Sequence, residues 1–204
     1  MIKVGIIVGS TRPGHHANDV AKWVLENAKK RTDAQFEIVD IADFKLPMLD
    51  EPVPPSMAQY SKPHTKAWAQ KVASFDAYVF VTPEYNHAPS AALKNALDFI
   101  YAEWNNKAAG FVSYGASANG SRAVEHLRMI MGELQIADVR AQVSLSLYTD
   151  FENFAAFKPN AMHLANLTTM LDQLVAWGGA MKTVRNQKFT PLAVEKEAVG
   201  KASS

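Results

Sequence analysis

The sequence predicts an α/β fold, a doubly wound parallel sheet of five strands with helices on both faces. Three observations carry this. Residues 2–8 are a β-branched run and 78–81 a continuous apolar run of two valines and two aromatics, the composition of strands covered on both faces. Five strand-like runs alternate along the chain with segments of helical period, as parallel strands joined by crossovers require. Three of the runs end in loops that gather glycines, hydroxyls, amides and charged groups, at the strand ends where open α/β sheets hold ligands.

The first strand, 2–8, stops at Gly9, and after the loop 9–17 Asn18 is expected to cap an amphipathic helix with Val20, Val24 and Ala28 inward. Residues 36–39 form a short second strand ending at Asp40. The acidic, proline-rich stretch 43–63 has neither period and reads as a long irregular connection, in which Leu46, Met48 and Leu49 serve the core or a subunit contact. Trp68, Val72 and Phe75 share the face of a helix leading into the third strand. Thr82 and Pro83 stop that strand. Pro89 fixes φ where the next helix begins, and Leu93, Ala96, Leu97 and Ile100 recur at helical spacing towards Trp104. Residues 108–112 are the fourth strand, followed by a helix with Val124, Leu127, Met131 and Leu134 buried. Residues 140–147 alternate as an edge strand should, with Val143, Leu145 and Leu147 on one face. Asn160 is expected to cap a long last helix with Leu164, Leu167, Leu171, Leu174 and Val175 inward. One domain, 1–184, and a polar tail, 185–204, account for the chain.

Composition removes several function classes. With 204 residues, 48% hydrophobic and 20% charged, the chain can build a substantial core, and a net charge of +1 offers no field for nucleic acid or an anionic membrane. Cysteine is absent, so thiolate nucleophiles, disulfides, Fe–S clusters and zinc-thiolate sites are excluded, and redox chemistry must come from a bound cofactor. The apolar amino end is too short for a signal segment, and no run reaches membrane-spanning length, so the expected compartment is the cytoplasm.

The loop 9–18 has the composition of a phosphate cradle. Gly9 and Gly14 let backbone approach, Ser10 and Thr11 offer hydroxyls, Arg12 offers a charged fork, and a helix amino terminus follows. The glycines stand at the P-loop interval, but His15 and His16 occupy the places of the lysine and the metal-binding hydroxyl, so a monophosphate held without metal fits better than a nucleoside triphosphate. The bland alternative is a Gly/Pro surface turn. At 84–87 a carboxylate, a phenol, an amide and an imidazole follow the third strand. At 113–123, Gly115 and the pair Asn119-Gly120 permit positive φ and close approach of a flat ring.

TPEYN at 82–86 with LKNALD at 93–98, Gly9-Ser10 with Arg12, and Ser113-Tyr114-Gly115 with Gly120, Arg122 and Ala123 resemble the NADPH-dependent FMN reductase family, from Val4 to about Leu147. Asn119 stands where the family has the first of two glycines. The resemblance implies a flavodoxin-like fold with strand order 2-1-3-4-5, FMN as cofactor and NADPH or NADH as electron donor. It implies a small-molecule electron acceptor (quinone, flavin, azo dye or metal oxyanion), reduced in ping-pong order, and a homodimer or homotetramer. The flavin carries the hydride, so no side chain is expected to be catalytic. The implied cofactor residues are Gly9, Ser10, Arg12, His16, Ala17 and Asn18 at the phosphate; Pro83, Glu84, Tyr85 and Asn86, whose backbone at a strand end is expected to have spare donors for the pyrimidine edge; and Ser113, Tyr114, Gly115, Asn119 and Gly120 at the ring.

Plainer roles stand beside these. Glu84 is read as a partner for a nearby cation in preference to a catalyst, Tyr85 as a buttress, and His15, His16 and His87 as solvated loop residues with too few convergent ligands for a metal. Lys94, Asn95 and Asp98 read as helix surface or interface. Two other functions compete: an electron carrier of the same fold that does not oxidise nicotinamide, against which the near-neutral charge weighs, and a phosphate-ester hydrolase, for which no nucleophile with metal or acid can be placed.

Overall fold

The computed structural model of the chain describes residues 1–187. Strands β1 (Ile2–Val8), β2 (Ala34–Asp40), β3 (Ala77–Pro83), β4 (Lys107–Gly115) and β5 (Ile136–Ser146) form one parallel sheet in the order β2-β1-β3-β4-β5, as expected. Helices α1 (Ala17–Ala28) and α5 (Met162–Asn186) share one apolar cluster on one face; α2 (Pro63–Ala73), α3 (Ala91–Asp98) and α4 (Ser121–Glu133) share the other. Every residue of β3 and β4 is buried, which is why those runs lack a polar alternation. Among the described residues no helix is long and apolar enough to cross a membrane.

The register fixes where the loops start. Asp40, Val8, Val81, Val112 and Val143 lie on a single rung across all five strands, so the connections after β1, β3 and β4 leave the sheet within three residues of one another. At Gly9 the chain turns close against its neighbours: its N–H donates to the Val81 carbonyl at 2.8 Å, and a β-carbon there would lie 2.6 Å from that oxygen. The Ser90 hydroxyl, buried, donates to the Gly9 carbonyl at 2.6 Å while accepting from the Leu93 N–H at 3.0 Å, so the cap of α3 also holds the first loop. That cap lies one residue past Pro89, and α3 ends at Asp98; Ile100 and Trp104 stay buried beyond it, around a 3-10 turn.

Three other expectations move. Helix α1 is capped at His16, two residues ahead of Asn18, which falls in its first turn and cannot cap it. Asn160 lies one residue before the cap of α5, yet its side chain accepts from the Met162 N–H at 3.1 Å. Leu164 is 45% exposed, and Met170 takes its place in the core, because α5 presents 167, 170, 171 and 174 to the sheet. In the long connection Leu46 packs at the core margin, but Met48 and Leu49 face outward.

Strand β5 begins at Ile136, earlier than its alternating part, because it carries a bulge. Ala109 pairs with Asp138 and Phe111 with Gln142, so β5 spends four steps where β4 takes two. Side chains take up the backbone groups freed there. Arg128 donates to the Val139 and Arg140 carbonyls at 2.9 and 3.3 Å, and Gln173 accepts from the Ala141 N–H at 3.0 Å.

At the amino edge of the sheet, Asp76 joins three elements. It accepts from the Lys3 N–H at 3.0 Å, from Lys182 at 3.0 Å and from Arg185 at 2.5 Å, and Arg185 also donates to the Asn106 carbonyl at 3.0 Å. Helix α5 therefore continues as ordered structure through Arg185 and Asn186; residues 188–204 of the expected tail lie outside the described residues. Nearby, Lys107 is buried and donates to the Val72 carbonyl and the Tyr78 hydroxyl, both at 2.9 Å; burial lowers its pKa to about 7.

Burial alone would raise the Asp76 carboxyl, but the Lys3 amide, Lys182 and Arg185 outweigh it and hold it below its ordinary value. Its stabilisation is therefore full above the unfolded value near 4 and is lost as pH falls through the lower folded value. Asp76→Asn is expected to reduce unfolding free energy by about 2 kcal/mol at pH 7. In denaturant titrations the difference from wild type should shrink progressively below about pH 4.

Candidate functional site

The carboxyl edge of the sheet brings the three loops together. Arg12, from the loop after β1, donates from Nε to the Tyr85 hydroxyl of the loop after β3 at 3.2 Å, and Ser10 Oγ, 1% exposed, lies 3.3 Å from that hydroxyl. These residues are more than seventy positions apart in the chain. The remaining guanidinium nitrogens of Arg12 fold back on the Pro13 and Gly14 carbonyls at 3.2 and 3.4 Å, leaving an exposed cation that can be turned outward at little cost.

The first loop keeps its donors open. Its helix cap, His16, makes no side-chain capping bond. The His15 imidazole accepts from the Ala17 N–H at 3.2 Å, while among the described residues the N–H groups of Ser10, Thr11, Gly14, His16 and Asn18 donate to no protein acceptor. A helix amino terminus with unpaired N–H groups beside an arginine is a receptor for an anion. Neither imidazole is solvated as expected. His15 is half-buried, with desolvation chief among the causes that lower its pKa, and the His16 ring packs 4.8 Å from Phe151 and 6.2 Å from Tyr114. His87 is exposed, in agreement with the sequence reading.

The loop after β3 closes on itself. Tyr85 and Ala88 exchange backbone hydrogen bonds at 2.9 and 3.0 Å around Asn86 and His87, whose φ values of 49° and 68° describe a two-residue hairpin turn. The Glu84 N–H donates to the Tyr114 carbonyl at 3.1 Å. The expectation of spare donors at 83–86 is thereby corrected: Pro83 has none, those of Glu84 and Tyr85 are engaged, and only the Asn86 N–H remains. Glu84 pairs with a cation, as read. Its side chain is 6% exposed and holds Arg122 through Oε1 at 2.5 Å and the Arg122 N–H through Oε2 at 3.2 Å, tying the loop to the start of α4.

The loop after β4 is also self-filled. Ser113 Oγ donates to the Asn119 carbonyl at 2.9 Å, and Asn119 adopts φ 53°, the left-handed conformation that the family's glycine would supply. Gly120 has φ 79°, and a β-carbon there would meet Ser113 Cβ at 2.6 Å, while one at Gly115 would meet the Gly120 nitrogen at 2.8 Å. These glycines let the loop pack against its own strand, and of the positions read as permitting positive φ, Asn119 and Gly120 adopt it while Gly115 does not. Tyr114 is 4% exposed, and its hydroxyl has no partner among the described residues.

Sequence reasoning missed one component. After β5 a short hairpin, β6 (Phe151–Glu152) with β7 (Ala156–Phe157), lays Phe151 against His16 and Phe157 against Trp23 at 4.8 and 5.9 Å. Its base is held by Asp150, 1% exposed, which accepts from the Ser146 and Asn160 N–H groups at 2.8 and 2.9 Å and lies 3.1 Å from the His163 ring. The only local signal was the aromatic pair flanking Asn153, which turns with Phe154 at positive φ. Lys94 and Asp98 pair on the surface at 2.5 Å, while Asn95 is structural: it donates to the Pro47 carbonyl and accepts from the Leu49 N–H, pinning the long connection.

Residues 2–150 match the model of the NADPH-dependent FMN reductase family. An NAD(P)H-dependent FMN reductase of Nectria sp is 39% identical over 160 residues, covering 74% of this chain and 79% of that protein. An NAD(P)H:quinone oxidoreductase of Solanum tuberosum is 33% identical over 134 residues, 64% of this chain and 67% of the other. Among solved structures, the flavoenzyme NAD(P)H:(acceptor) oxidoreductase of Paracoccus denitrificans superposes with a TM-score of 0.67 over 89% of this chain and 99% of its own, at 18% identity, and so shares the fold. The chain belongs to the NADPH-dependent FMN reductase family.

Gly120→Ala should cost roughly 2–4 kcal/mol, since it adds a strained φ to a collision with Ser113. Asn119→Gly, which keeps the turn, should stay within about 1 kcal/mol of wild type. Thermal unfolding of the two variants side by side checks this.

Proposed function

We propose that this chain is an FMN-dependent NAD(P)H oxidoreductase that reduces quinones or similar small acceptors. The observation that carries the reading is the set of open backbone donors at the first loop, with Arg12 beside it and Tyr85 within 3.2 Å, on the edge where two further loops converge. Those donors fit a phosphate monoester dianion. Family membership supports FMN as its bearer, and the relatives named above as FMN reductase and quinone oxidoreductase support the donor and the acceptor class.

In this reading the hydride chemistry is what FMN supplies when bound, reduced by NADPH or NADH and, in ping-pong order, reoxidised by a quinone, flavin, azo dye or metal oxyanion. The chain's own residues bind and orient. Ser10, Arg12, His16 and Asn18, with Gly9 setting the turn, would hold the phosphate by backbone donors and one guanidinium, whereas the N–H of Ala17, also expected there, is taken by the His15 imidazole. The rim of the ring site would be Pro83, Glu84, Tyr85 and Asn86 with Ser113, Gly115, Asn119 and Gly120; the Asn86 N–H is the donor free to meet a ring oxygen there. Glu84, bound to Arg122, would lock two of these loops in place and take no part in proton transfer. The protein would act in the cytoplasm as a homodimer or homotetramer, with the exposed Met48, Leu49 and Met57 of the long connection available to a second copy.

Purified protein should be yellow and lose its colour when NADPH or NADH is added under argon, then regain it with a quinone. A bound flavin that stays oxidised would overturn the enzyme reading and leave the electron carrier. Arg12→Ala should weaken FMN binding about 10- to 100-fold, read by flavin fluorescence quenching.

A further inference from the structure

We propose that Tyr114 serves the phosphate end of the ligand, its hydroxyl completing the anion site formed by Arg12 and the amino terminus of α1. The inference rests on the FMN reading and departs from the ring-side role that the position of Tyr114 in the third loop implied.

Direction comes first. Successive side chains on β4 point to opposite faces, so Tyr114 leaves the sheet on the side away from Ser113. It lies in the apolar cluster shared with Ala17 and Val20 of α1 and with α5. Its ring packs 6.1 Å from Phe151 and edge-on to His16 at 6.2 Å, which places it under the first turn of α1, not beside the hairpin turn of Asn86 and His87.

The second observation is the unpartnered hydroxyl. It is buried, and no group among the described residues accepts from it or donates to it by a well-formed hydrogen bond. Beside it lie the N–H groups of His16 and Ala17, with Arg12 and Tyr85 close enough to act on it electrostatically. All but Tyr85, whose hydroxyl can either donate or accept, are donors or cations. A buried hydroxyl left without a partner is a cost to the folded chain, and here an oxyanion would relieve it. Burial keeps the phenol protonated by raising its pKa well above the ordinary value, so the group is a donor at any working pH. Asp19, the acidic residue of the same helical turn, is exposed and turned to Lys22 at 3.5 Å.

The test compares FMN with riboflavin, which has the same ring and lacks the phosphate. Wild-type and Tyr114→Phe full-length chains, freed of flavin, are titrated with each by fluorescence quenching, and the flavin-free Tm values are recorded. Tyr114→Phe should bind FMN about 10-fold more weakly, bind riboflavin as wild type does, and unfold at the same temperature or higher, since no protein group loses a partner. Inorganic phosphate should compete with FMN for wild type at lower concentration than riboflavin binding responds to it. An equal loss for FMN and riboflavin, no loss for either, or a fall in flavin-free Tm with FMN binding intact would each overturn the proposal. Wild-type protein that does not prefer FMN to riboflavin would instead overturn the functional reading beneath it.

Discussion

One rung of the sheet governs the molecule. Because Asp40, Val8, Val81, Val112 and Val143 stand in line, and because parallel strands all run one way, the three connections that carry polar chemistry must emerge together. Strand order supplies the rest, since β1 and β3 are neighbours although a strand and two helices separate them in the chain. A slip of one residue in either pairing would turn every buried side chain of a central strand to the other layer. The site's geometry is thus protected by the same packing that holds the fold.

The loops around that rung divide their labour. Those after β3 and β4 satisfy themselves: Tyr85 with Ala88, Glu84 with Arg122, Ser113 with Asn119, and Gly115 against Gly120. The loop after β1 does not. Its helix lacks a capping side chain and, among the described residues, five of its amides are unpaired and the hydroxyl beneath it has no partner. Closed loops make a rigid frame, and the free energy withheld from the open one is what a ligand can recover on binding.

Much of this was legible in the residues. The buried central strands, the three loops and the pairing of Glu84 with a cation followed from apolar runs, glycine placement and residue chemistry, and the strand order from the family resemblance that the motifs carry. Less was legible where a contact crosses the chain. Asn18 has the side chain of a cap, but tertiary packing starts α1 two residues earlier, at His16 against Phe151 and Tyr114. Spare donors at 83–86 were inferred from a strand end, whereas the partners that consume them, the Tyr114 and Ala88 carbonyls, are set by β4 and by a turn with two positive φ values. The hairpin after β5 is too short for a strand signal, and its anchor, Asp150, depends on a histidine in α5. Sequence period reports faces; it does not report which polar atoms meet.

The bulge in β5 has a bearing on solubility. A long strand at the margin of a sheet is a template onto which another chain can zip. Here the margin is bent by two surplus residues, and Arg128 and Gln173 plug the amide and carbonyl groups an incoming backbone would seek. Strand-by-strand stacking along this side is thereby discouraged at the bulge by the folded chain itself.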